Sequence, residues 1–133
     1  MKLTLLLLLS PLLCLSQFTA SVGVGQTNGL LSSDLQVGAR VNNIIITAGY
    51  LSITRNDQPV HFGIRAGYEL NRSHIYVGVC RTVFSTDDKT RNNNALQVGY
   101  NHRLWSIGNS CIFIGACYTT KQYISLHVGM RYN

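Results

Sequence analysis

From residue 19 onward the chain alternates apolar and polar side chains with a period of two, the spacing that sends successive residues to opposite faces of a β-strand. In Val60-His61-Phe62-Gly63-Ile64-Arg65-Ala66-Gly67-Tyr68-Glu69-Leu70 one face is wholly apolar or aromatic, and the other carries His, Gly, Arg, Gly and Glu. Leu96-Gln97-Val98-Gly99-Tyr100-Asn101 and Ile124-Ser125-Leu126-His127-Val128-Gly129-Met130-Arg131-Tyr132 repeat the pattern. Extended along the chain, it predicts eight strands, at 19–27, 33–42, 43–53, 59–70, 73–84, 94–104, 110–119 and 123–132. The connections predicted at Asn42-Asn43, Asn71-Arg72 and 106–109 are tight, whereas those at 29–32, 54–58 and 84–93 are mostly longer.

An internal repeat sharpens the register. Residues 35–42, 64–71, 96–103 and 126–133 can be laid over one another on Gly38, Gly67, Gly99 and Gly129, a period of about 30 residues. One β-hairpin is the repeating unit, so all four copies fall on strands that run the same way. The intervening strands carry Gly25, Gly49, Gly78 and Gly115. An all-β, eight-stranded antiparallel up-and-down barrel satisfies this arrangement.

Two kinds of barrel have eight such strands: a soluble one with its apolar face inward, and a transmembrane one with that face toward lipid. The apolar face is built from Val, Ile, Leu, Ala and Tyr. The other combines glycine with Arg40, Arg65, Glu69, Arg103, Arg131, Gln36, Gln97 and Asn101. Glycine cannot supply the bulky core of a soluble barrel, so the polar face is read as the lumen. Tyrosine placement agrees, because amphipathic rings favour the headgroup level. Tyr50 and Tyr118 fall toward the longer-loop ends of their strands, and Tyr68, Tyr100 and Tyr132 toward the tight-turn ends, which makes an aromatic girdle at two levels.

Composition adds an export signal. The chain is 46% hydrophobic and 12% charged, but its one continuous apolar run is 3–15, preceded by Lys2 and interrupted by Pro11. That run is shorter than the ~20 residues a membrane helix needs. Residues 1–16 are therefore read as a signal peptide cut near Ser16, leaving a barrel domain at 17–133. Cys14 raises a lipoprotein alternative, which the bulky Leu13 before it disfavours. Loss of Lys2 takes the formal charge from +6 to +5. The basic residues are scattered singly, so no nucleic-acid surface is expected.

Taken together, these residues resemble the small OmpA/OmpX-type eight-stranded barrels of the Gram-negative outer membrane. The resemblance is one of pattern over the whole mature chain. It implies a location in the cell outer membrane, with membrane lipids and the outer-membrane barrel assembly machinery as partners. It also marks His127, Gly129 and Tyr132 of the last strand as the assembly signal, although Asn133 stands where such barrels usually end on an aromatic residue.

Candidate chemistry concentrates in the lumen. Arg40, Glu69, Arg103 and Arg131 are expected to face inward near one mouth, as a hydrogen-bonded plug or, alternatively, an anion-attracting constriction. Tyr76 and Phe113 should fill the space left by the glycines, since eight strands enclose little more than side chains. Cys80, Cys111 and Cys117 are also predicted inward. Cys111 and Cys117 lie about 20 Å apart on one strand, and Cys80 and Cys117, at matching heights, about 9–10 Å apart across another, so free thiols are expected. No metal-ligand spacing exists, and no metal or cofactor is expected. A hydrolytic grouping could be assembled only from His61, Asp57 and Ser52, with His61 otherwise a solvated strand end; His74, His102 and His127 look isolated. Asp87-Asp88-Lys89 reads as a polar loop tip. The expected function is a monomeric membrane protein with a structural or surface-interaction role, no catalytic residues and a plugged lumen; a narrow solute channel and a lipid-modifying enzyme are the alternatives. Intact-mass analysis of the exported protein should place its N-terminus within about three residues of Gln17. An exported chain still beginning at Met1 would contradict the signal-peptide reading.

Overall fold

Alternating runs rich in Val, Ile and Tyr suit the pleated, half-buried surface of a strand, and in this chain they pair without interruption around a ring. The computed structural model describes residues 17–53, 60–86, 89–120 and 123–133. Eight strands follow in order: β1 Gln17–Thr27, β2 Leu30–Val41, β3 Ile44–Ile53, β4 Val60–Leu70, β5 Ser73–Thr86, β6 Lys89–Ile107, β7 Ser110–Thr119 and β8 Tyr123–Tyr132. Each pairs antiparallel with the next, and β1 pairs with β8 to close the barrel. Gly23 marks the seam, lying opposite Asp34 on one side and Gly129 on the other.

The turns explain where strands stop. Asn28 and Gly29 link β1 to β2 with φ of 50° and 82°, a two-residue turn whose twist matches that of the flanking strands. Asn28 donates its backbone N–H to Ile124 O at 3.0 Å and accepts from Ile124 N on Oδ1 at 2.9 Å, which pins this hairpin to β8. The longer connection expected at 29–32 is therefore corrected, because β2 already begins at Leu30. The expected loop at 84–93 is likewise mostly ladder, with pairing that continues to Thr86 opposite Lys89; Asp87 and Asp88 lie outside the described residues. At the other end, Asn42 and Asn71 with φ of 55° and 54°, and Gly108 with φ of 57°, make the three tight turns. Both chain ends of the barrel lie there too, where Asn133 N donates to Asn109 O at 2.9 Å.

Face polarity is that of a membrane barrel. Outward residues such as Ile64, Val79 and Leu96 are each 57% exposed, while inward Arg65 and Gln97 are 8% and 2% exposed. An apolar exterior of this extent is incompatible with water. It suits hydrocarbon, where a closed ladder satisfies every strand N–H and C=O internally.

Inside, the buried rings of Tyr76 and Phe113 fill the space between the strands. Tyr76 lies directly over Gly99: a Cβ on that glycine would collide with the phenol Cζ and Oη. Gly99 is thus a socket for the ring as well as a repeat marker. Replacing it (Gly99→Val) forces the ring to move and should destabilise the barrel by about 1–3 kcal/mol. Urea unfolding in lipid vesicles reads this directly, and an unchanged midpoint would contradict the socket.

Candidate functional site in the barrel lumen

The four even-numbered strands run toward the tight-turn end, and each brings a charged residue to that mouth: Arg40 on β2, Glu69 on β4, Arg103 on β6 and Arg131 on β8. Their side chains converge. Arg131 Nη2 donates to Glu69 Oε2. Arg40 Nη2 lies 3.3 Å and Arg103 Nη1 3.8 Å from Glu69 Oε1. Arg40 Nε also donates to Asn42 O at 2.9 Å, and Arg103 Nη2 to Asn71 O at 2.8 Å, so the tight turns hold two of the cations in place. Glu69 and Arg131 are each 6% exposed. A carboxylate removed from water to that degree is stable only while charged donors surround it.

A second charged layer lies deeper in the lumen. Arg65 Nη1 donates to Asp34 Oδ2 at 2.8 Å, Gln36 Nε2 to Asp34 Oδ1 at 2.8 Å, and Arg65 Nε to Gln97 Oε1 at 3.1 Å. The Arg65 guanidinium lies 5.1 Å from the centre of the Tyr76 ring. Sequence reasoning had Arg65, Gln36 and Gln97 on the lumen face but missed Asp34. It lies one residue before the repeat as aligned, and the signal was available, because Asp34 shares the parity of Gln36, Gly38 and Arg40.

The histidines are more embedded than expected. His61 is 2% exposed, with its ring 4.9 Å edge-on to Tyr123, so the solvated strand-end reading is corrected. It pairs with Leu51, which is itself buried in the lumen, so Ser52 belongs to the opposite face of the sheet. His61 and Ser52 are thus not brought together, and Asp57 lies outside the described residues. His127 Nε2 is 3.1 Å from Asn101 Oδ1 and His102 Nδ1 is 3.2 Å from the Tyr100 hydroxyl, so these two are not isolated, whereas His74 is held, among the described residues, only by its ring, tilted 5.5 Å from that of Tyr76. Cys80, Cys111 and Cys117 are buried free thiols. Cys80 sits opposite Ala95 and Cys117 opposite Gly99 on the intervening β6. Among the described residues, no group of three His, Cys, Asp or Glu is placed to hold a metal ion.

Tyr50, Tyr68, Tyr100, Tyr118 and Tyr132 all point outward. Near the tight turns, Tyr68 OH accepts from Asn43 Nδ2 at 3.3 Å, Tyr100 OH shares a hydrogen bond with Ser73 Oγ at 3.0 Å, and Tyr132 lies opposite Ser110. Near the other end, Tyr50 packs against Phe62 at 6.1 Å and Tyr118 lies opposite Ile124. Trp105 joins the tight-turn level, which strict alternation conceals: the register slips between Arg103 and Trp105, and this bulge turns the indole outward, 54% exposed. In β8, His127 faces Asn101 and Phe113 in the lumen, and Gly129 leaves room for Phe113, whose Cζ would be 2.8 Å from a Cβ there.

A closed eight-stranded ladder, apolar outside and charged within, leaves one architecture. The fold is that of the small outer-membrane barrels. The chain is similar to the N-terminal β-barrel domain of Pseudomonas aeruginosa OprF, at a TM-score of 0.72 and 9% identity over 88% of this chain and 98% of that one. It is also similar to Neisserial surface protein A, at 0.61 and 14% identity over 88% and 94% of the two chains. The Yersinia pestis outer membrane protein Ail matches at 0.53 and 13% identity over 87% and 99%. No protein-family model matches the sequence, and no curated protein sequence matches it.

The barrel gives the ion pairs a measurable weight. Truncation of Glu69 (Glu69→Ala) leaves three guanidiniums without their carboxylate and should cost about 3–5 kcal/mol of stability. Chemical denaturation in vesicles tests this, and a loss below that of an exposed ion pair, about 1 kcal/mol, would contradict a buried network.

Proposed function

We propose that this chain is an integral protein of the outer membrane with a structural or surface-interaction role, that its lumen is plugged, and that it catalyses no reaction. The observation that carries this reading is the stacking of two ion-pair layers, Glu69 with its three arginines and Asp34 with Arg65, across an interior already occupied by Tyr76 and Phe113. Eight strands enclose a space about as wide as those side chains, which leaves no continuous path for a solute. His61 and Ser52 stand on opposite faces of the sheet, which weighs against hydrolysis or acyl transfer on a lipid.

On this reading the partners are membrane lipids around the apolar face, the barrel assembly machinery at β8 through His127, Gly129 and Tyr132, and molecules met by the loops. One copy suffices, because β1 pairs with β8 and the ring closes without a second chain. Reconstituted in planar bilayers, the protein should show no steady conductance. A steady anion-preferring conductance would overturn the plugged lumen in favour of a narrow channel, with the two guanidiniums in excess over Glu69 as its filter.

A further inference from the structure

Among residues whose side chains are described, Arg81 is the one charged residue at an outward strand position. It is exposed and has neither an ion pair nor a hydrogen bond among the described residues. A cation on the lipid face is unfavourable at the bilayer centre and tolerated near the headgroups, so its depth is informative. Cross-strand pairing places Tyr50, Phe62, Arg81 and Asn94 in one outward row over four neighbouring strands. The next row toward the tight turns is Ala48, Ile64, Val79 and Leu96. The first row has aromatic rings, a cation and an amide, the chemistry of the membrane interface; the second is purely apolar.

These two rows line a groove of about 880 Å³ on the outside of the barrel, with Thr120 at its rim. The groove is open along its outer side, so a membrane lipid can enter it from the bilayer. Its floor is low because Ala48 lies among bulkier residues. The groove lies on the side of the barrel away from the tight turns and both chain ends, which in such barrels is the external side.

Resting on the outer-membrane reading above, we propose that this groove seats one phosphorylated glycolipid of the outer leaflet. Its phosphate pairs with the Arg81 guanidinium, and an acyl chain lies along Ala48, Ile64, Val79 and Leu96. A lone guanidinium at headgroup depth calls for an anion with oxygens in its plane, which phosphate supplies. The uncharged donors and acceptors of Asn94, Thr120 and the Tyr50 hydroxyl match sugar hydroxyls better than a second charge. The acyl row gives the lipid a seat that free phosphate lacks.

The full-length mature protein, refolded in phosphatidylcholine vesicles containing a minor fraction of lipid A, is extracted in mild detergent and weighed by native mass spectrometry. Each variant is first checked for heat-modifiable gel migration, so a barrel that fails to form, which would count against the outer-membrane reading itself, is separated from a barrel that forms without lipid preference. The wild type should retain one lipid A per barrel and lose about tenfold in retention in Arg81→Gln, with most of it kept in Arg81→Lys. Ala48→Phe fills the groove while keeping Arg81 and should cause a comparable loss, which decides the matter should Arg81→Gln fail to fold. Dephosphorylated lipid A should be retained about tenfold less by the wild type, and excess inorganic phosphate should not displace the intact lipid. Equal retention by wild type and Arg81→Gln, or by wild type and Ala48→Phe, would overturn the site. Equal retention of phosphatidylglycerol would overturn the glycolipid assignment, and displacement by inorganic phosphate would overturn the acyl seat.

Discussion

Every backbone N–H and C=O that enters hydrocarbon must find its partner within the protein, because no water is there to replace it. A sheet meets that demand only by closing. In this chain β1 returns to β8 through an unbroken register from Ala20 opposite Tyr132 to Thr27 opposite Ser125, and the ring of strands closes. Closure in turn fixes what each residue faces, since a period of two leaves only an outside and an inside. Lipid takes the outside. The inside is the only place left for charge.

With eight strands, that inside is too narrow to hold bulk water in place of side chains, so its contents must fit against and pair with one another. The polar residues do so in layers. Thr27 Oγ1 contacts Ser32 Oγ at 3.0 Å and Ser125 Oγ at 3.1 Å near the loop end, Asp34 and Arg65 occupy the middle, and Glu69 with three arginines lies near the tight turns. Aromatic rings pack against glycines between the layers, as Tyr76 does over Gly99 and Phe113 beside Gly129. Gly99 and Gly129, two of the glycines that mark the sequence repeat, are therefore the hollows that seat these rings. The ion pairs also enforce register: a one-residue slip of β4 would carry Glu69 and Arg65 to the lipid face together.

Much of this was legible in the order of residues, and the departures have physical causes. In β4 and β8 every second residue is polar or glycine, so both faces could be assigned outright. In β3 the run Ile44-Ile45-Ile46 is apolar on both faces, and burial of Ile45 in the lumen, 2% exposed, could not be distinguished from lipid contact on either side. Trp105 escaped because a bulge shifts parity after Arg103, and a parity argument carries no information past a bulge. The Asn28-Gly29 turn is a strong local signal, but the polar Ser32 after it reads as loop by sequence, whereas its hydroxyl meets Thr27 in the lumen. The contacts of His61 and of Asp34 depend on partners far away in sequence, Tyr123 and Arg65, and only the closed barrel brings them together.

Identities of 9% to 14% with barrels of the same fold show how little of the architecture resides in particular residues. What persists is alternation, closure and a filled interior, and the outward apolar face is the part on which all of it rests. Spin labels on cysteines introduced at Ile64, Val77, Leu96 and Val98, with the native cysteines replaced by serine, test that face most directly in vesicles. The account predicts that labels at all four positions collide freely with oxygen dissolved in the bilayer and are shielded from a water-soluble nickel reagent. Free access of the nickel reagent to all four, with no preference for oxygen, would place this face in water and contradict the membrane barrel.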